Sequence, residues 1–356
     1  FHTPNWSVNK LFLVTLGVFF FYLVYSLAIQ CNSKAGIVTD FIIQIKPYLA
    51  FFTIYAFKPV LNETMKRNIR LLAIVFSVYL LGIGLTTLFT SKILDVLIMH
   101  ESRLATAATI VACMYLYCSE YKAKDKLVFV LLLSIGLFSG RSKMYGLFVL
   151  AIFMVSYINQ HFELKFNRKN AILFTIMSVA VLIVAWNKIN FYFIQGGIGN
   201  PRDASDYYAR AALYYFSIDV FTEYFPFGSG FATYATFASG QYYSHIYDDY
   251  GMNILYGLTK SAPSFIADTY YPALAQFGVV GVVLFFAFWG KLVGITFRHF
   301  TKENLKDFTI SILIILFFLI ECTSDSTITH NRGLFMMMLL ALSLNSLKAS
   351  YNKSLK

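Results

Sequence analysis

Two arginines mark places in this sequence where an anion could bind. Arg141 lies at the end of a predicted membrane span, and Arg210 lies near the start of a predicted helix in a long polar loop. A guanidinium group is planar and can donate two parallel hydrogen bonds to a phosphate group. The alternatives are an anchor at the membrane surface for Arg141 and a surface ion pair with Asp206 for Arg210.

Other ionisable residues could transfer protons or bind a polar substrate. Histidine has an unperturbed pKa of about 6.5, so His245 is a candidate base near neutral pH, although it could equally be a solvated loop residue. Glu321 and Asp325 are four residues apart at the end of a predicted span and would share one face of a helix. Ionisable residues at membrane depth are functional candidates, and the alternative is an ion pair with Arg332.

The composition shows what kind of chain must position these residues. Of its 356 residues, 58% are hydrophobic and only 13% are charged, and the mean hydropathy is +0.62. Soluble domains carry about 25% charged residues, so a soluble enzyme is excluded. The apolar runs are continuous rather than alternating, which also excludes an outer-membrane β-barrel. We therefore expect an all-α, polytopic membrane protein in a lipid bilayer, with residues 1–356 forming a single integral membrane domain.

Ten apolar segments are long enough, or nearly long enough, to span a bilayer. The fifth and sixth are separated by Gly140, Arg141 and Ser142, and we interpret them as a hairpin, because one long span would bury Arg141 at high cost. The ten segments are Leu11–Ile29, Ile37–Phe57, Leu71–Thr90, Leu104–Cys118, Leu127–Ser139, Met144–Ile158, Ala171–Trp186, Pro272–Phe297, Phe308–Cys322 and Gly333–Leu347.

Basic residues predict the orientation of these spans. Alternate loops, together with Lys10 and the C-terminal tail, hold 17 of the 29 Lys and Arg residues. Cytoplasmic loops are enriched in Lys and Arg, so we expect cytoplasmic termini and place the loop Asn187–Tyr271 outside. The same pattern accounts for the net charge of +11 without a nucleic-acid partner.

The loop Asn187–Tyr271 is predicted to fold as an outer lid. It has 85 residues, contains 14 of the 25 tyrosines and is too aromatic for a disordered segment. Within it, Ser205–Tyr224 has the periodicity of a helix. Its tyrosines could stack on sugar rings, with Tyr207, Tyr214 and Tyr243 as candidates, or form an aromatic belt at the membrane surface, with Tyr270 and Tyr271 as the best candidates.

Two stretches around this loop resemble motifs of the O-antigen polymerase/ligase superfamily. Arg210 and Tyr214, followed by Pro226-Phe-Gly-Ser-Gly230, resemble its R-x3-W … P-x-G-x-G pattern. Asp268 and Tyr270, followed by Leu274-Ala-Gln-Phe-Gly-Val-Val-Gly281, resemble its [HD]-N-x-Y-L … L-x-E-x-G-I-I-G pattern.

A third stretch, Ser139-Gly-Arg-Ser142, resembles the S-x-S-R/G-R-S element that ends an earlier span in that superfamily. The three motifs occur in the family's order over roughly Leu127 to Phe297. Two positions depart from the pattern: Tyr214 replaces the usual Trp, and Ala267-Asp268 stands where ligases typically carry a histidine. The missing histidine favours a polymerase over a ligase.

The resemblance implies glycosyl transfer on the outer face of a bacterial inner membrane. The donor and the acceptor would be undecaprenyl-diphosphate-linked oligosaccharides. Arg141 and Arg210 would stabilise the departing diphosphate, and the position of Asp268 makes it a candidate base beside His245. Tyr207, Tyr214, Tyr243, Glu321, Asp325 and Arg332 would bind substrate.

No cofactor or metal is expected, although Asp203, Asp206, Asp248 and Asp249 are the residues that could hold a hard cation. A chain-length regulator protein is a further expected partner. The alternatives are an O-antigen ligase that transfers the finished chain to lipid A–core and, in another class, a flippase for lipid-linked oligosaccharides.

Overall fold

The computed structural model describes residues 9–158 and 201–355, with backbone alone for 201–208, and three single positions at 172, 175 and 179. Regular structure in these ranges is helical, with one isolated β-bridge between Thr259 and Ala262. The predicted span Ala171–Trp186 lies outside the described residues.

Thirteen α-helices occur in the described ranges, and four short 3₁₀ helices interrupt them. The 3₁₀ helices are Ile135–Ser139, Met252–Ile254, Pro272–Phe277 and Thr327–Thr329. The α-helices are α1 (Lys10–Ala28), α2 (Lys34–Phe57), α3 (Glu63–Thr86), α4 (Lys92–Leu97), α5 (Glu101–Cys118), α6 (Ala123–Ser134), α7 (Ser142–Tyr157), α8 (Pro201–Glu223), α9 (Phe237–Gln241), α10 (Ile246–Asp249), α11 (Gly278–Arg298), α12 (Leu305–Glu321) and α13 (Asn331–Ser354).

Nine of the ten predicted apolar segments are helical in the structure, and five of the helical segments are long and apolar enough to cross a membrane. These five are α1, α2, α3, α13 and the continuous segment Pro272–Arg298, which contains α11. Polar caps define two of their starts: the side chain of Asn9 accepts from the Leu11 amide, and that of Asn62 accepts from the Met65 amide. The all-helical fold class is therefore confirmed.

The chain divides into two compact units, and each consists of three separate stretches. The first unit consists of Phe1–Phe57, Gly197–Lys291 and Glu321–Met337. Its core includes the side chain of Leu213 on α8, which belongs to the same buried cluster as the side chains of Tyr234 and Tyr247. The predicted loop helix is confirmed but begins four residues earlier than expected, at Pro201, a residue that suits the first helical turn.

The second unit consists of Lys58–Gly196, Leu292–Ile320 and Met338–Lys356. Within it, α5 packs against α3 and α6, and the Tyr117 hydroxyl lies 3.0 Å from the hydroxyl of Ser346 on α13. The predicted hairpin is present. Helix α6 continues into the 3₁₀ helix, Gly140 turns the chain with a φ of 65°, and α7 begins after Arg141.

Candidate functional site

The structure pairs two of the predicted site residues, Arg210 and Asp268. The Nε and Nη2 atoms of Arg210 donate to the same carboxylate oxygen of Asp268, at 3.1 and 2.5 Å. The arginine side chain is 21% exposed and the aspartate side chain 33%. The ion pair therefore fixes the direction of a guanidinium group that solvent still reaches.

A second stretch of chain lies directly beside this pair. The backbone amide of Tyr270 donates to the Cys322 carbonyl at 3.2 Å, and the Ser326 hydroxyl donates to the Ala267 carbonyl at 2.5 Å. Tyr214, one turn after Arg210 on α8, donates its hydroxyl to the Thr323 carbonyl at 2.8 Å. Residues 322–326 are thus held against both α8 and the segment that contains Asp268.

The adjoining stretch contains a second guanidinium–carboxylate pair. Arg332 donates to Asp325 at 2.6 Å, and both side chains are mostly buried. The Thr327 hydroxyl lies 2.9 Å from the Asp325 carboxylate and 3.4 Å from that of Glu321. The ion pair with Arg332 that the sequence left as an alternative is therefore present for Asp325.

The reason that Glu321 and Asp325 lie together differs from the prediction. They were expected to share one face of a continuing helix, and that expectation is wrong because α12 ends at Glu321. Asp325 instead lies in the irregular segment before the 3₁₀ helix Thr327–Thr329. The Thr327 hydroxyl, rather than helical periodicity, connects the two carboxylates.

The stretches Pro226–Gly230 and Leu274–Gly281, which are distant in sequence, contact each other through their backbones. The Gly230 amide donates to the Gln276 carbonyl at 2.8 Å, which joins the Pro226–Gly230 loop to the start of the segment that contains α11. Gly228 has a φ of +82°, and a Cβ there would lie 2.3 Å from the Gly278 nitrogen. Only glycine fits at position 228 because both the backbone angle and the contact exclude a side chain.

A buried carboxylate that the sequence analysis did not single out supports this junction. Asp40 on α2 has no exposed surface, and it accepts from the Ala232 amide at 2.8 Å and from the Gln276 side chain at 3.1 Å. Gln44, one turn later, lies 3.4 Å from the same carboxylate. Asp40 could have been found from the sequence because it is an acidic residue inside the apolar segment Ile37–Phe57, and a charge at membrane depth needs a partner.

An apolar cavity of about 270 Å³ lies in the first unit, between α1, α2 and α11. Its polar lining includes Gln44, Tyr48 and Tyr270, and Tyr270 is only two residues from Asp268. Apolar side chains form most of its walls, among them Val14, Val18, Leu274, Leu284 and Phe288. The first unit thus contains both the two guanidinium–carboxylate pairs and an apolar cavity.

The tyrosines near the site are hydrogen-bond donors rather than bases. Burial raises the pKa of Tyr214 to about 12 and raises the pKa of Tyr270 well above its usual range. Both phenols therefore stay protonated at physiological pH. Tyr270 is buried, so it is not the exposed belt residue that the sequence suggested, whereas Tyr271 is half-buried.

The other predicted site residues have different surroundings. Arg141 belongs to the second unit, where its Nη2 atom lies 3.1 Å from a ring nitrogen of His100 and its Nε atom 3.6 Å from Glu101. His245 is more than half exposed and lies 3.8 Å from Asp249. The Tyr243 hydroxyl donates to the Leu258 carbonyl at 2.8 Å. The side chain of Tyr207 lies outside the described residues.

Metal ligands do not cluster in the part of the chain that the structure describes. No group of three or more His, Cys, Asp or Glu side chains is placed there to hold an ion. Asp248 instead accepts from Asn253 at 2.7 Å, and the side chains of Asp203 and Asp206 lie outside the described residues. All four cysteines are free and buried.

Comparison of the sequence with protein-family models gives no match, and comparison with curated proteins gives none either.

Proposed function

We propose that the protein is a membrane glycosyltransferase that polymerises oligosaccharide repeat units carried on undecaprenyl diphosphate. The observation that carries the proposal is the Arg210–Asp268 pair, which lies in the same compact unit as the Asp325–Arg332 pair and an apolar cavity. Such a substrate combines an anionic diphosphate, which a guanidinium group can bind, with a long hydrocarbon chain, which apolar side chains can contact. The site is suited to an amphiphile of this kind.

The reaction places its largest charge change on the diphosphate. A hydroxyl of the acceptor sugar attacks the anomeric carbon of the donor, a new C–O bond forms, and the bond to the diphosphate breaks. The bonding electron pair leaves with the diphosphate oxygen, where a guanidinium can stabilise it. Arg210 is suited to this task because Asp268 orients it before substrate binds.

The acceptor hydroxyl must also lose a proton. Asp268 is a candidate base through its second carboxylate oxygen, and His245, Glu321 and Asp325 are the alternatives. A reaction in which the diphosphate leaves before the proton does would need no dedicated base. Neither a metal nor a cofactor is part of the proposal.

The location of the reaction follows from the orientation proposed for the chain. Ten spans with cytoplasmic termini would place residues 187–271 as a lid on the periplasmic side of a bacterial inner membrane. Lipid-linked repeat units and a chain-length regulator protein would then meet the enzyme at that face. The positive charge of the alternate loops supports this orientation.

The test is incubation of the purified full-length protein with purified lipid-linked repeat units, followed by electrophoresis of the products. A ladder of increasing lengths is the expected result. Transfer of one preformed chain to lipid A–core, without a ladder, would instead identify a ligase. Movement of the lipid-linked unit across vesicles without any new glycosidic bond would identify a flippase.

Substitution of Arg210 tests the residue that carries the proposal. We expect Arg210→Ala to lower the rate about 100- to 1,000-fold, as loss of a donor to developing charge does in other enzymes. Arg210→Lys should rescue poorly, because an ammonium group does not reproduce the planar fork. The matched control is Arg103→Ala, an exposed arginine in the second unit. Full activity in Arg210→Ala would remove this residue from the site.

A further inference from the structure

Helix α8 carries an apolar stripe on the side that faces away from its own core. Ala209, Leu213 and Val220 are buried in the first unit. On the opposite side, Tyr215 is 68% exposed and Ile218 is 64% exposed, and Phe225 extends the stripe just beyond the helix end. Large apolar side chains grouped in this way mark a surface that contacts a partner.

The stripe continues onto a candidate membrane span. A crevice of about 330 Å³ is lined by Ile218 and Phe221 on one side and by Val282 and Phe286 of α11 on the other. Val283 and Phe286 are themselves exposed. They lie in the first turns of α11, within the continuous apolar segment Pro272–Arg298 that is long enough to cross a membrane.

The loop after α8 adjoins a second candidate span. The Phe227 ring packs against Phe21 and Tyr25 of α1, with ring centroids 5.4 and 5.9 Å apart. The Tyr25 hydroxyl also donates to the Gly228 carbonyl at 2.8 Å. The middle of the α8 stripe, at Ile218, and the loop just beyond Phe225 therefore lie next to helices whose apolar surfaces would face lipid.

We propose that α8 lies in the surface of the bilayer, with Tyr215, Ile218 and Phe225 in contact with the upper parts of lipid acyl chains. A helix that exposes apolar side chains can lie in the membrane surface with those side chains toward the acyl chains, while the opposite side of α8 packs on the core of the first unit. The partner is the lipid bilayer itself, because the stripe continues the surface of α11. This inference does not depend on the proposed glycosyl transfer.

The orientation has a consequence for Arg210. Arg210 is on the same helix, five residues before Tyr215, so it shares the depth of that helix when the helix axis lies in the plane of the membrane surface. A helix lying in the membrane surface would keep Arg210 at the depth of lipid phosphate groups. The same contact that anchors α8 would thus hold the guanidinium group where an anionic lipid headgroup is found.

The test is quenching of a tryptophan introduced into the stripe. Full-length Ile218→Trp is reconstituted into phosphatidylcholine vesicles, with and without lipids that carry bromine atoms near the headgroup end of their acyl chains. The fluorescence of the parent protein, which has three tryptophans, is measured in the same vesicles and subtracted. We expect brominated lipids to quench at least half of the added fluorescence and bromines near the chain ends to quench less.

Ile254→Trp provides the matched control, because Ile254 is an isoleucine of the same lid that is 82% exposed and lines neither the crevice nor the cavity. Its added fluorescence should be quenched by aqueous acrylamide and not by the brominated lipids. Tyr215→Trp is a second stripe variant in case Ile218→Trp does not fold. The proposal is overturned if brominated lipids do not quench the added fluorescence of either stripe variant. It is also overturned if they quench Ile254→Trp as strongly as the stripe variants.

Discussion

The two family-like turns, Ser139–Ser142 and Pro226–Gly230, are built in different ways although each contains a glycine with a positive φ. Gly140 has a φ of +65°, and a Cβ there would meet no atom within 4 Å. Gly228 has a φ of +82°, and a Cβ there would collide with the backbone of residues 276–278. The first glycine serves a local hairpin, whereas the second allows two distant stretches of backbone to touch.

The arginines of the two regions both contact residues that are distant in the chain, but the two sets of contacts differ in kind. Arg141 has His100 and Glu101 as its neighbours, at the start of α5. Arg210 is paired with Asp268, 58 residues away, and that pair is supported by residues 322–326. A charged group held by distant stretches of chain is oriented by the whole fold, which is what a preorganised site requires.

The largest difference is expected when alanine replaces each glycine. Gly228→Ala should lower the free energy of unfolding by about 2–3 kcal/mol or more, because backbone atoms must move. Gly140→Ala should cost only about 1–2 kcal/mol, the strain of the left-handed conformation. The measurement is the thermal unfolding midpoint of each purified variant in detergent. Equal shifts would contradict the assignment of Gly228 to a backbone junction.

The carboxylate partners of the two arginines give the next difference. Asp268→Asn should lower kcat/KM roughly 10- to 100-fold, since a hydrogen bond to a charged group contributes about 1.5–3 kcal/mol. Glu101→Gln should lower it less than about fivefold, because that partner is 3.6 Å away and more than half exposed. Both variants are assayed with the lipid-linked repeat unit.

The pH profile of Asp268→Asn then separates two roles for this residue. A residue that only orients Arg210 leaves the profile unchanged while KM for the donor rises. If Asp268 is the general base, its replacement by Asn should remove the decrease in activity that the parent protein shows at acidic pH. We expect the unchanged profile, because one oxygen of the Asp268 carboxylate accepts two hydrogen bonds from Arg210, which is the arrangement of an orienting partner.

The smallest effect is expected for His245→Ala. Its ring is more than half exposed and its contact with Asp249 spans 3.8 Å, so the pair contributes little. Turnover should stay within about twofold of the parent between pH 6 and 8. A large loss of turnover in His245→Ala, together with loss of its pH dependence, would identify this histidine as the base.

Much of the fold could be predicted because its signals are local. Continuous apolar runs predicted helices at nine described segments, and the cost of burying Arg141 predicted the hairpin between α6 and α7. The loop helix was also predicted from its periodicity and from the proline and glycines that follow it. Each of these features depends on neighbours within one or two turns, which the sequence displays directly.

The partners of the site residues could not be predicted in the same way. The sequence offered Asp206 as a partner of Arg210, and the fold supplies Asp268, which is 58 residues away. It placed Glu321 and Asp325 on one helix, although α12 ends at Glu321, four residues before Asp325. It gave no reason to connect Asp40 with Gln276, which lie 236 positions apart.

Hydropathy and charge in the sequence determined that the chain is helical and apolar enough for a membrane, because these properties act residue by residue. The tertiary structure decided which carboxylate holds Arg210, which glycine permits a backbone contact and which face of α8 is exposed. The physical reason is that hydrogen bonds and close contacts between distant segments depend on three-dimensional distance. Periodicity along the chain specifies the faces of a helix but not the segment that each face will meet.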